Sequence, residues 1–152
     1  MDNFAILYCF SAYNSFKEKF GEDGNTFVIG IQTDSLYTQK NFLKWKELGD
    51  SILQLNGVES IISEATLFNI NNNKTEQRFV IERIFSDVTY QEKTIDSIKY
   101  EIRRNPLYAK MLYNDSSHVS LMMVGIDERF LADQKKSKVV LEIQKLANTY
   151  KP

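Results

Sequence analysis

The chain has 152 residues, of which 43% are hydrophobic and 26% charged, so it suits one domain that buries about two thirds of its unfolded surface. Nineteen basic and twenty acidic side chains leave a net charge of −1, without the basic face that a nucleic-acid-binding protein needs. No run of about 18 apolar residues occurs. The composition therefore predicts a folded domain that neither binds nucleic acid nor crosses a bilayer.

Residues 4–10, FAILYCF, form the most apolar part of the N-terminal segment. The run lacks a basic flank and a small-residue cleavage site, so it predicts a packed strand or helix rather than a secretory signal. A truncated piece of something longer is the alternative. Cys9 is the only cysteine, which excludes an internal disulfide. Residues 11–20 then predict a short helix that ends at Gly21.

Residues 26–63 predict a strand, a loop, a helix, a tight turn and a second strand. The first strand, residues 26–32, is rich in β-branched and apolar residues, which predicts burial on both faces. A helix is predicted over residues 41–55, and Gly57 ends it because glycine accepts a left-handed conformation. The apolar stripe of this helix consists of Phe42, Trp45, Leu48, Ile52 and Leu55.

The second strand begins at Val58 and is expected to continue as far as Ile70. Asparagines at 71–73 predict a turn, and residues 75–85 a hairpin partner or, alternatively, an irregular connection.

A second helix is expected to start at a capping box formed by Thr89 and Glu92 and to stop before Pro106. A short strand over residues 107–113 and a turn follow. The nearly continuous apolar run at 119–126 predicts a strand in the centre of a sheet, and residues 136–149 predict a final helix.

The sequence contains few residues that suit catalysis. His118 is the only histidine, and Asp115 lies three residues before it, but no G-x-S-x-G nucleophile motif accompanies them. An exposed turn residue is therefore the better interpretation of His118. Glu92, Asp96 and Glu101 follow one helix, where a solvated face is the ordinary interpretation.

Cofactor and metal chemistry is not indicated either. One cysteine and one histidine do not make a metal site. The glycines at 21, 24 and 30 precede or interrupt a strand, whereas a phosphate-binding loop follows one. The sequence thus predicts no enzyme, no cofactor and no metal.

Aromatic and methionine side chains are numerous and fall at core spacing. They predict packing in the interior, with a ligand pocket as the alternative that composition alone does not exclude. They include Phe42, Trp45, Met122 and Met123.

Three segments resemble one family: FKEKFGEDGNTFVIGI, LNGVESIISEATLFNI and RRNPLYAKMLYNDSSHVSLMMVGID. Their order, with the helix that follows, resembles the first large extracytoplasmic loop of exporters of the resistance-nodulation-division (RND) superfamily, of the MmpL-like or hydrophobe exporter type. The resemblance extends over residues 11–150.

The resemblance implies an α+β fold: a ferredoxin-like βαββαβ porter subdomain with a partly antiparallel sheet and helices on one face. It divides the chain into an N-terminal segment (residues 1–25), a porter-like domain (26–127) and the C-terminal helix of an incomplete neighbouring subdomain (128–152). The family's proton-relay residues lie in transmembrane helices, so none is carried over to this chain.

The resemblance also implies a function, that of a periplasmic, non-catalytic part of a proton-driven exporter that forms a conduit for lipids or amphiphiles. Its partners would be the other transmembrane and porter domains of the same transporter and a hydrophobic substrate, with no nucleic acid. Self-association through residues 4–10 or an unpaired sheet edge is expected of the isolated chain. A free-standing ferredoxin-like module that binds a ligand or a protein is the alternative.

Overall fold

The computed structural model describes residues 25–73, 78–86, 94–106, 108, 111–130 and 135–150. The strands in these residues are β1 (Thr26–Gln32), β2 (Val58–Ile62), β3 (Phe68–Asn73), β4 (Arg78–Arg83), β5 (Tyr113–Asn114) and β6 (Val119–Ile126). The α-helices are α1 (Gln39–Leu53), α2 (Ile95–Arg104) and α3 (Lys135–Thr149), and two 3₁₀ turns span Glu64–Thr66 and Glu128–Phe130. The chain is therefore a mixed α+β protein with antiparallel sheets, as the sequence predicts.

Strand β6 is the centre of the larger sheet. β1 pairs with it antiparallel along one edge, from Thr26 opposite Gly125 to Gln32 opposite Val119. β2 and the short β5 share its other edge, where β2 pairs as far as Met123 and β5 pairs at Ser120 and Val119. β1 and β2 consequently run in the same direction with β6 between them, and the prediction of a central strand at 119–126 is confirmed.

Strands β3 and β4 form a separate two-stranded sheet, with Ile70 opposite Ile81 at its middle. This hairpin turns its polar face to the protein, since the Asn105 side chain donates to the backbone carbonyl of Phe68 and to the Asn69 side chain. Its opposite face is apolar and exposed. We call this surface, formed by Phe68, Ile70, Phe79 and Ile81, the hairpin face.

Helices α1 and α3 pack against each other and against the larger sheet. Trp45 of α1 meets the Tyr150 ring edge to face, with 5.4 Å between the centroids, and the Tyr150 hydroxyl donates to the carbonyl of Asn41. Burial raises the pKa of Tyr150 to about 12. Side chains from both helices and the sheet share one core, whose largest fully buried members include Trp45, Phe42, Phe85, Ile52, Met122 and Ile143.

Most predicted elements are confirmed, including β1, α1, the β3–β4 hairpin, β6, α3 and the end of α2 before Pro106. The aromatic stripe of α1 is core, as predicted, because Phe42 and Trp45 are fully buried. The predicted N-terminal helix, the run at 4–10 and the capping box at Thr89 and Glu92 lie outside the described residues. Where α2 begins in the structure, the Thr94 hydroxyl caps it by accepting from the backbone amide of Ser97.

Four predictions about strands and turns are wrong. Asparagines 71–73, expected to form a turn, are instead the last residues of β3 and pair with β4. β1 is not buried on both faces: Ile29 and Ile31 are buried, whereas Val28 is exposed. β2 does not continue to Ile70, because the 3₁₀ turn after Ile62 separates β2 from β3 and places them in different sheets. The strand expected at 107–113 is reduced to β5, since residues 111 and 112 form a turn.

The division into domains stays a prediction. The structure shows that α3 contributes Val139, Ile143 and Ala147 to the same core as the sheet. Among the helices of the described residues, none has the length and apolar character that crossing a membrane requires.

Gly57, at the turn between α1 and β2, is expected to tolerate no side chain. Its φ is +97°, and an added Cβ would lie 2.8 Å from the Phe130 ring. Gly57→Ala should therefore lower the free energy of unfolding by about 1–3 kcal/mol, as measured by urea denaturation. Gly49→Ala is the matched control, because Gly49 is helical and its added methyl would meet only flexible side-chain ends at 3.3 Å or more. Equal losses in the two variants would contradict the prediction.

Candidate functional site

Glu64 is the buried ionisable group around which the candidate site is built. β2 leaves the edge of β6 after Ile62, and the 3₁₀ turn is fixed by the Thr66 hydroxyl, which accepts from the backbone amide of Ser63 at 2.8 Å. This turn carries the Glu64 side chain into the interior, where it is 0% exposed. Carboxylates are rarely buried completely unless they are paired, so this position requires an explanation.

Polar side chains from three other parts of the chain surround Glu64. The Tyr37 hydroxyl, from the loop before α1, donates to its Oε1 at 2.8 Å. Arg103 Nη2, from α2, lies 3.8 Å from the same oxygen, which is a long ion pair. Ser120 of β6 lies close enough to lower the carboxyl's pKa, although Oε2 has no hydrogen-bond partner within the described residues.

Arg103 contacts two carboxylates, of Glu64 and Asp115, and two aromatic rings, of Tyr113 and Tyr37. Its Nη1 lies 3.0 Å from Oδ1 of Asp115, a shorter contact than the one to Glu64. The guanidinium stacks on the Tyr113 ring at 3.5 Å, and the Tyr113 hydroxyl donates to the Arg103 carbonyl at 3.0 Å. The stacking fixes the guanidinium plane, so Arg103 is held chiefly by Tyr113 and Asp115 and only weakly by Glu64.

These surroundings shift the pKa values of the cluster upward. Burial raises the pKa of Glu64, and the Tyr37 hydrogen bond, Ser120 and the positive charge of Arg103 only partly oppose that effect. Burial, together with the nearby Glu64, raises the pKa of Tyr37. Burial also raises the pKa of Tyr113. The cluster therefore favours the neutral forms of Glu64, Tyr37 and Tyr113 more than water does.

The cluster joins elements that are far apart in sequence, and it reaches the surface at Asp115, whose side chain is 77% exposed. Glu64 and Ser63 are 0% and 1% exposed, and the Ser63 hydroxyl has no partner among the described residues. A shallow depression of about 230 Å³ between α1 and α3 is lined by Lys44, Leu146 and Tyr150 among others and does not reach the cluster. Within the described residues, Glu64 is thus part of a buried polar connection between the loop before α1, α2 and β6.

The residues that the sequence singled out for catalysis do not come together. His118 lies at an exposed turn, as predicted, with φ of 54° and its Nδ1 2.7 Å from Oδ1 of Asp34. Asp115 instead pairs with Arg103. Asp96 lies exposed on α2, while Glu92 lies outside the described residues.

Sequence reasoning missed Glu64 entirely. A single acidic residue directly after a strand has the appearance of an exposed loop residue, and no motif marks it. Its main hydrogen-bond partner is 27 residues away in sequence. In the part of the chain that the structure describes, no group of three or more His, Cys, Asp and Glu side chains is placed to hold a metal ion.

Comparisons of the chain with protein-family models, with curated proteins and with solved structures find no match. The fold and the site define the class as an α+β protein with a buried carboxyl–arginine–tyrosine cluster.

Proposed function

We propose that the chain is a periplasmic porter domain of a proton-driven RND-type exporter, where it forms one wall of a conduit for lipids or other amphiphiles and performs no catalysis itself. The observation that carries this proposal is the arrangement of the larger sheet. β1 and β2 run in the same direction, α1 connects them, and β6 lies antiparallel between them.

This arrangement agrees with the fold that the family resemblance implies. Three strands in the order β1-β6-β2, with α1 after β1 and α3 after β6, correspond to the βαββα part of the βαββαβ unit that the resemblance implies. The hairpin, α2 and β5 are then an insertion between the second and third strands of that unit. In this proposal α3 belongs to the same unit and not to a neighbouring subdomain, because it packs on α1.

The segments that carry the resemblance occupy structurally constrained positions. Gly57 has a positive φ immediately before β2, and Asn105-Pro106 ends α2. The segment VSLMMVGI is the central strand β6. Each of these segments lies at an element boundary or at the centre of the sheet. Their order along the chain therefore supports a fold in common with the exporter family more strongly than apolar composition does.

A free-standing protein-binding module is the second candidate function, and the hairpin face favours it. Phe79 and Ile81 are 71% and 66% exposed, which is unusual for neighbouring large apolar side chains. The two candidates differ in whether the native protein is anchored in the membrane with this domain outside the cytoplasm.

Thiol labelling of the native, full-length protein tests this placement. We expect Asp34→Cys, in a Cys9→Ser background, to react with a membrane-impermeant maleimide in intact spheroplasts, because the Asp34 side chain is 82% exposed. Ile143→Cys is the matched control and should react only after denaturation, since Ile143 is fully buried. Labelling of Asp34→Cys only after the spheroplasts are lysed would place the domain in the cytoplasm and contradict the proposal.

A further inference from the structure

The hairpin face is the largest exposed apolar feature that the core does not explain. Its four side chains are between 37% and 71% exposed. An aromatic side chain presents about 200 Å², so these fractions leave on the order of 450 Å² of apolar surface open to solvent. This is the size of the largest patch on a typical monomer, and such patches are often functional.

A two-stranded sheet with one exposed apolar face is marginal by itself and is stabilised when another layer covers that face. On the opposite, polar face, the Asn69 side chain accepts a hydrogen bond from Asn105 of the main body of the protein. Within the part of the chain that the structure describes, no element covers the hairpin face.

We propose that the hairpin face binds the hairpin face of a second copy of this chain, in a two-fold symmetric contact between two stacked two-stranded sheets. The centre of the face suits contact with a second copy, whereas Phe79, which lies opposite Asn72 across the strands, would lie over that polar position of the second copy. Phe68 lies opposite Arg83 across the strands, and Ile70 lies opposite Ile81. A two-fold axis parallel to the strands places β3 over the partner's β4, so each Ile70 meets an Ile81 and each Arg83 meets a Phe68.

Charge supports the same pairing. Arg83 is exposed and its guanidinium already lies 5.5 Å from the centroid of its own Phe68 ring, so it is positioned to contact an aromatic face. In the dimer it would lie over a second aromatic ring, which attracts a cation. The two Arg83 side chains would lie on opposite sides of the axis and would not face each other.

The available area fits a dimer of ordinary size. A standard interface buries about 800 Å² per partner, of which about 57% is apolar. The hairpin face supplies an apolar area of that order, and the polar rim of the hairpin supplies the remainder. The contact does not depend on the proposed function, because it follows from the hairpin alone.

Sedimentation of the full 152-residue chain tests the proposal. We expect the weight-average mass to rise from monomer towards dimer with a Kd on the order of 10–100 µM, at the weak end of the affinities of standard-size interfaces. Ile81→Lys should raise that Kd at least about tenfold. Leu141→Lys is the matched control, since Leu141 is a 54% exposed apolar residue on α3, and it should self-associate like the wild type.

A chain that remains monomeric at high concentration would overturn the proposal, as would an Ile81→Lys variant, folded by circular dichroism, that self-associates like the wild type.

Discussion

Trp45→Ala is expected to lower the free energy of unfolding by about 3–5 kcal/mol. The ring is fully buried and packs against Tyr150, so alanine would leave a cavity where α1 meets α3. A loss of this size is a large part of the total stability of a typical domain. Because Trp45 is the only tryptophan, urea unfolding should be followed by circular dichroism rather than by fluorescence.

Two variants control this measurement. Tyr100→Ala removes a 67% exposed aromatic ring from α2 and should change the stability by less than about 0.5 kcal/mol. Trp45→Phe keeps most of the apolar volume and removes an indole N–H that has no partner within the described residues, so it should cost less than alanine. A Trp45→Ala loss below about 1 kcal/mol would show that the ring is not in the core.

Glu64→Gln is expected to stabilise the protein at neutral and mildly alkaline pH. Burial raises the pKa of Glu64 above its ordinary value of 4.5 in the folded protein. The folded state therefore binds the proton more tightly than the unfolded chain. The contribution of the protonated Glu64 to the free energy of unfolding is fully present below pH 4.5. It is lost as the pH rises through the folded-state pKa of Glu64.

Glutamine resembles the protonated carboxyl in shape and carries no charge, so the variant should lack this decline. The difference in free energy of unfolding between Glu64→Gln and the wild type should grow with pH to about 1–3 kcal/mol. This is the usual cost of an unsatisfied buried polar group. Denaturation between pH 4.5 and 9 measures it, and that range avoids the titration of Tyr37 and Tyr113. Arg103 keeps Asp115 as its partner in the variant, so it is not left unpaired.

Asp50→Asn provides the control, because Asp50 is a half-exposed carboxylate paired with Lys46 on the surface of α1. It should leave the shape of the pH profile unchanged. If Glu64→Gln instead lowers the stability at neutral pH by more than about 1 kcal/mol, the charged Glu64–Arg103 pair contributes net stability and the prediction is wrong.

The elements that local pattern determines were predictable, whereas the connections between them were not. The nearly continuous apolar run at 119–126 predicts a central strand, and apolar residues spaced three or four apart predict α1. Both predictions are confirmed. The end of β2 at Ile62 was not predicted, because apolar residues at alternate positions continue the strand pattern through Phe68 and Ile70. The 3₁₀ turn that follows β2 depends on a hydrogen bond from the Ser63 amide to the Thr66 hydroxyl. The alternation of apolar residues in the sequence does not reveal that bond.

The candidate site was unpredictable for a related reason. Burial of Glu64 results from the meeting of Tyr37, Arg103 and Ser120, which come from a loop, a helix and a strand. Each of these residues is ordinary in its own segment. The alternation of Phe79 and Ile81, in contrast, did predict a strand, but which face would be exposed depended on the docking of Asn105.

The central claim is that this domain belongs to a membrane-embedded exporter, and an immunoblot of the native protein tests it most directly. Antibody raised against the 152-residue chain should detect, in cells that carry the gene, a protein several times larger than this chain, because a dozen transmembrane helices of about 20 residues would accompany it. That protein should remain in the membrane fraction after carbonate extraction. A band of the size of the 152-residue chain in the soluble fraction, with none in the membranes, would contradict the account.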